Sequence, residues 1–298
     1  MATDRSKLTT ERRNPRTADI DRRSVLEIVS AINAEDARVA GAVQKERRRI
    51  AAGVEIIVEA FRRGGRLFYV GAGTSGRLGV LDAAECPPTF GTRPSQVQGI
   101  IAGGRRALVR AIEGAEDRPA DGAAALDRKR VRPADVVVGI AACGLTPFVR
   151  GAMRRARRIG CATIFVTCSP EARTAVPADV VINPVVGPEA VTGSTRMKAG
   201  TATKLVLNTL TTAAMIRTGK VYGNLMVDLK ATNEKLRDRS ERIVMALTGL
   251  PRPKARRLLA AAGGEVKAAI VMHARDVDRA RARKLLADAG GSLRAAIE

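Results

Sequence analysis

Five short, mainly apolar runs rich in strand-forming residues lie at 67–70, 97–102, 136–141, 163–167 and 180–182, mostly separated by helical patterns such as residues 146–159. Nothing else in the chain constrains its fold as tightly. Runs of this length and composition read as strands. Strands that are apolar throughout, rather than alternating, are covered on both faces. Their alternation with helices therefore predicts an α/β fold, a three-layer, doubly wound parallel sheet. In such sheets ligands gather beyond the carboxyl ends of the strands, where Gly71, Gly103-Gly104 and Cys143-Gly144 stand.

The first of those edges carries the chemistry. Leu67-Phe68-Tyr69-Val70 runs into Gly71-Ala72-Gly73-Thr74-Ser75-Gly76-Arg77-Leu78-Gly79 and on to Asp82-Ala83-Ala84-Glu85-Cys86-Pro87-Pro88. This reads as strand, glycine-rich turn and helix, with the Glu85 carboxylate just beyond the helix. Glycines let a backbone approach an anion, Thr74 and Ser75 add hydroxyls, and the helix start adds N–H groups and partial positive charge. No Gly-Lys-Ser/Thr follows, so the turn is not a Walker A loop. No acidic residue follows at the end of a second strand, as a nicotinamide dinucleotide would require. A sugar phosphate is the expected ligand, with no cofactor.

The rest of the composition narrows the choice. One histidine, His273, and four cysteines (Cys86, Cys143, Cys161, Cys168) without C-x-x-C spacing leave neither a zinc site nor a Ser-His-Asp triad. No metal is expected, and the chemistry falls to carboxylates, hydroxyls, Lys and Arg. The net charge of +22 invites a nucleic-acid reading. Against it, aromatics make up only 2% of the chain, so bases would have little to stack on. An Arg-rich solvated surface is the expected role of this charge. No apolar run approaches a membrane span, and the polar start of the chain carries no secretory signal, so the expected location is cytoplasmic.

Outside the sheet, Ser24-Val25-Leu26-Glu27 is a capping box. One long helix is expected from Ala37 to Phe61 and another from Met197 to Thr218. Near the end, Ala255-Arg256-Arg257-Leu258-Leu259-Ala260-Ala261-Ala262-Gly263-Gly264 recurs as Ala282-Arg283-Lys284-Leu285-Leu286-Ala287-Asp288-Ala289-Gly290-Gly291. Each copy ends in a Gly-Gly helix stop, which predicts two helix-turn-helix units. The expected organisation is an N-terminal helical arm at 1–52, a sheet domain at 53–222 and a C-terminal helical domain at 239–298.

Several long motifs together resemble the N-acetylmuramic acid 6-phosphate etherases. They are the glycine-rich segment through Glu85-Cys86-Pro87-Pro88, Glu113-Gly114-Ala115-Glu116-Asp117, Gly187 through Ser194-Thr195-Arg196-Met197-Lys198, and Gly223-Asn224-Leu225-Met226-Val227-Asp228. The resemblance covers nearly the whole chain. It implies a SIS (sugar isomerase) domain, a homodimer, and a lyase of amino-sugar catabolism and peptidoglycan recycling. Such a lyase releases D-lactate from its sugar phosphate by elimination and hydration. It also implies that Glu85 protonates the leaving lactate and Glu116 takes the C2 proton. Read without the resemblance, Glu85 is more ordinarily a solvated surface residue and Glu116 part of an acidic turn. Substrate contacts are expected from Gly73, Thr74, Ser75, Cys143, Thr146, Ser194 and Arg196. Cys143 departs from the family, which usually reads Ala-Ser-Gly-x-Thr-Pro there; a thiol is the weaker donor, so weaker phosphate affinity is expected. Glucokinase regulatory proteins share the Ser-Thr-Arg-Met-Lys signature, which leaves a non-catalytic sugar-phosphate sensor as the alternative.

Overall fold

The computed structural model describes residues 8–231 and 233–298; the first seven residues of the expected N-terminal arm lie outside them. Strands β1 (Leu67–Gly71), β2 (Val97–Ile101), β3 (Val136–Ile140), β4 (Ala162–Val166) and β5 (Val180–Ile182) fall within a residue of the runs read from the sequence. They form one parallel sheet in the order β2-β1-β3-β4-β5, with Leu67 level with Val97 on one side and Val136 on the other. Every residue of β1 and β3 is buried, because helices cover both faces. The doubly wound α/β reading holds.

Helices α1 (Val25–Asp36), α2 (Val39–Lys45) and α3 (Arg47–Arg62) precede the sheet. The single helix expected from Ala37 to Phe61 is two helices. Backbone at Glu46 leaves the helical path (φ −90°, ψ 5°) while its buried carboxylate accepts from Asn183 N at 3.1 Å and pairs with Arg49 at 2.8 Å. That long-range tie breaks a pattern which is helical locally.

Between the strands run α4 (Gly73–Phe90), α5 (Pro119–Arg128) and α6 (Pro147–Ile159), followed by α7 (Lys198–Arg217). Phe68, Val137, Phe148, Met153 and Phe165 fill the core between the sheet and its helices. Contrary to expectation, Glu85 sits inside α4 rather than beyond it. Pro87 and Pro88 remove two helical N–H donors, yet the helix continues to Phe90 and stops at Gly91 (φ +64°), whose N–H bonds to Pro87 O.

The chain divides into two compact units: residues up to Ala83 with Ser95–Thr211, and Ala84–Pro94 with Thr212–Glu298. The second unit holds the short antiparallel pair β6 (Val221–Tyr222) and β7 (Leu225–Met226), then α8 (Glu234–Thr248), α9 (Arg252–Ala261), α10 (Val266–Arg275), α11 (Arg279–Asp288) and α12 (Leu293–Ile297). The repeat is a structural repeat. Ala255 and Ala282 are both fully buried. Gly264 and Gly291 both take a left-handed conformation and close the preceding helix with an N–H to Leu259 O and to Leu286 O. Among the described residues no helix is long and apolar enough to cross a membrane.

Candidate active site

Order β2-β1-β3 reverses direction between β1 and β3, so the turns leaving these neighbouring strands diverge and open a crevice at their carboxyl ends. A cavity of about 260 Å³ lies there. Gly73, Thr74 and Ser75 line it from the start of α4, and Cys143, Leu145, Thr146 and Pro147 from the turn before α6. Glu116, Thr195, Leu8 and Glu11, with Ala72 and Ala142, complete the wall.

Two close approaches shape this crevice. A Cβ on Gly71 would lie 2.6 Å from Gly76 N, and one on Gly76 would lie 2.8 Å from Gly71 O. The end of β1 and the first turn of α4 are therefore in direct backbone contact, and Gly73, Thr74 and Ser75 at that turn lie on the cavity wall. In the second turn Gly144 is left-handed (φ +78°), and a Cβ there would stand 2.0 Å from Ala172 Cβ. Thr146 occupies the cap position of α6 but makes no side-chain cap bond, and Pro147 follows it. The Thr146 hydroxyl is thus spare for a ligand. Thr74, Ser75, Thr146 and Thr195, which carry hydroxyls, Cys143 with its thiol and the start of α4 all line this one space. This arrangement suits an anion.

Glu116 lies on the segment between β2 and α5. Phe148 N donates to Glu116 O at 2.9 Å, tying that backbone to the start of α6, and Glu116, an exposed residue, lines the cavity. Glu85 is exposed in the later part of α4, within the second unit, and is not among the residues lining this cavity. Nor are Ser194 and Arg196, although Thr195 between them is.

The segment leading into α7 is fixed from inside. Glu189, fully buried, accepts from Lys198 N at 3.0 Å and Ala199 N at 2.9 Å and so caps α7; its burial raises its carboxyl above the ordinary range. Lys198 is buried as well, donating to Val186 O at 3.0 Å and to the Glu35 carboxylate. Hydrogen bonds from Arg16, with further help from Lys198, hold the Glu35 carboxyl down at about 2 against its burial. Lys198 is therefore an internal tie rather than a surface that meets ligand.

A family profile for the glucokinase regulatory protein N-terminal SIS domain matches residues 49–157. An N-acetylmuramic acid 6-phosphate etherase from Symbiobacterium thermophilum is 58% identical over 266 residues, 89% of this chain and 88% of its own. Another, from Salinibacter ruber, is 59% identical over 89% of this chain and 86% of its own. The chain belongs to the N-acetylmuramic acid 6-phosphate etherase family. The phosphoheptose isomerase GmhA from Neisseria gonorrhoeae shares the fold at 19% identity with a TM-score of 0.50, covering 64% of this chain and 98% of that one.

In this etherase-family chain, sequence reasoning missed Leu8, Glu11, Leu145 and Thr195 as parts of the cavity wall. Leu145 and Thr195 stood inside motifs already singled out. Leu8 and Glu11 gave no local signal, because only docking across more than a hundred residues of chain brings them to the sheet edge.

Proposed function

We infer that the protein cleaves the D-lactyl ether of N-acetylmuramic acid 6-phosphate, giving N-acetylglucosamine 6-phosphate and D-lactate. The observation that carries this reading is identity of 52–59% with etherases along about nine-tenths of the chain. The hydroxyl-lined cavity at the switch point of the sheet supports it. A regulatory role without turnover finds no comparable support, since the profile of that family matches only residues 49–157.

An alkyl ether resists direct hydrolysis, but the open-chain sugar has an aldehyde at C1 that acidifies C2. In the proposed mechanism Glu116 removes the C2 proton as the C3–O bond breaks. Glu85 supplies the proton that the departing lactate oxygen needs. Water then adds across the C2–C3 double bond, placing its oxygen on C3 and a proton on C2. This division of labour needs one carboxylate and one carboxylic acid. The phosphate is held by Thr74, Ser75, Thr146 and the N–H groups beginning α4, with Cys143 in place of the family serine. Ser194 and Arg196 are proposed to contact substrate as well. We propose a homodimer formed through the N-terminal helices and, because a phosphorylated substrate does not cross membranes unaided, a cytoplasmic location.

Purified protein incubated with N-acetylmuramic acid 6-phosphate should release D-lactate. In ¹⁸O-labelled water the label should enter the sugar and not the lactate. Label in the lactate hydroxyl would mean displacement at the lactyl carbon, and binding without lactate release would revive the sensor reading.

A further inference from the structure

The mechanism above leaves one charged group on the cavity wall without a task. Glu11 ends the short 3-10 turn Thr9–Glu11, and its carboxylate, exposed to the cavity, has no hydrogen-bond or ion-pair partner among the described residues. A Cβ on Gly193 would lie 3.1 Å from Glu11 Oε2, so the carboxylate stands over the turn leading to Thr195, another wall residue.

The segment presenting Glu11 is pinned on both sides of it. Thr9 donates to Glu171 through its backbone N at 3.3 Å and through Oγ1 at 2.7 Å. Beyond Glu11, Asn14 Nδ2 donates to Pro188 O at 3.2 Å and Thr17 Oγ1 to Ala190 O at 2.8 Å. Leu8, Thr9, Thr10, Asn14 and Thr17 are all buried. Glu11 is therefore offered to the cavity from a backbone that is already ordered, so binding has only its side chain to fix.

An ionised carboxylate accepts hydrogen bonds and donates none. Beside a phosphate it is repulsive, so its partner must be a donor on an uncharged part of the ligand. An open-chain N-acetylamino sugar phosphate supplies such donors in its hydroxyls and its acetamido N–H, while its phosphate and lactyl carboxylate are both anionic.

We propose that Glu11 is a substrate-binding residue that accepts hydrogen bonds from the hydroxyl or acetamido donors of the sugar. By its charge it also keeps the phosphate on the Thr74–Ser75–Thr146 side of the cavity. Glu11 thereby sets which way round the chain of carbons lies between the phosphate cradle and Glu116. This role rests on the sugar-phosphate reading of the site.

Calorimetric titration of the full-length protein with N-acetylglucosamine 6-phosphate, and separately with inorganic phosphate, tests it. Charge-assisted hydrogen bonds are the stronger class, so Glu11→Ala should weaken the sugar phosphate about ten- to a hundredfold. Glu11→Gln keeps a carbonyl acceptor and should lose only several-fold. Inorganic phosphate should bind both variants as well as wild type or better, because a negative charge has gone. In turnover, KM should rise more than kcat falls. Equal weakening of both ligands would show that Glu11 merely supports the fold of its segment and would overturn the proposal. So would sugar-phosphate binding that neither variant alters. Failure of the wild type to bind N-acetylglucosamine 6-phosphate would instead overturn the reading of the site, and this role with it.

Discussion

Cys86, Cys161 and Cys168 are buried, and burial pushes the Cys161 thiol up to about 11 and the Cys168 thiol up to about 12, whereas Cys143 stands half-buried on the cavity wall. A disulfide reagent at pH 8 should therefore modify Cys143 alone in the folded protein, and N-acetylglucosamine 6-phosphate should slow that reaction. Restoring the family residue with Cys143→Ser should lower KM several-fold and leave kcat little changed, since a phosphate contact away from C2 and C3 acts on binding. An unchanged KM would mean that Cys143 only packs. For the chemistry itself, Glu85→Gln and Glu116→Gln should each cut kcat by at least about 10² while sugar-phosphate binding persists. Activity near wild type in both would displace the assigned pair. Gly73, Thr74, Ser75, Cys143 and Thr146 were legible as neighbours on the cavity wall because glycine and hydroxyl spacing is a local property of the chain. Glu11 was not, because its place depends on Thr9, Asn14 and Thr17 finding partners far along the sequence.

Elements read from the sequence survive where local pattern and tertiary setting agree. All five strands do: β1 and β3 are buried throughout, and β2, β4 and β5 in part. The break between α2 and α3 and the passage of α4 through Pro87-Pro88 were illegible, because each depends on contacts or continuity that a local pattern does not contain. One tie between elements has a measurable consequence. Glu35 on α1 meets Arg16 and the buried Lys198 at the start of α7, and its folded-state carboxyl is held at about 2, below the ordinary 4.5. A lowered carboxyl stabilises the fold above the unfolded value and loses that contribution as pH falls toward the folded one. Between pH 5 and pH 3 the urea midpoint of wild type should fall further than that of Glu35→Gln. Parallel curves would show that the tie contributes nothing to acid stability. At neutral pH the same variant should be the less stable, because it strands Lys198 in the interior.

At the scale of the whole molecule, α1 has an apolar face that the described residues leave exposed. Ser24 and Glu27 form the capping box that starts this helix, yet Val25, Leu26 and Val29 are 78%, 75% and 56% exposed. Their neighbourhood on one helix matches the proposal that N-terminal helices join two copies about a two-fold axis. Light scattering at micromolar concentration should give a dimer, and Leu26→Lys with Val29→Lys should give monomer. A wild-type monomer with full activity would overturn the proposal. Net charge at this scale favours arrival rather than identity, since a basic surface draws an anionic sugar.

The division of the chain bears on how it is made. Ala84–Pro94 belongs to the unit otherwise built from Thr212–Glu298. On the ribosome that stretch emerges well before the rest of its unit, while the strands β2 to β5 are synthesised in between. Cys86 and Phe90, buried in the finished protein, are thus made before most of their unit exists. A nascent chain stalled before Thr212 would lack the rest of that unit, and no single proteolytic cut would release either unit intact.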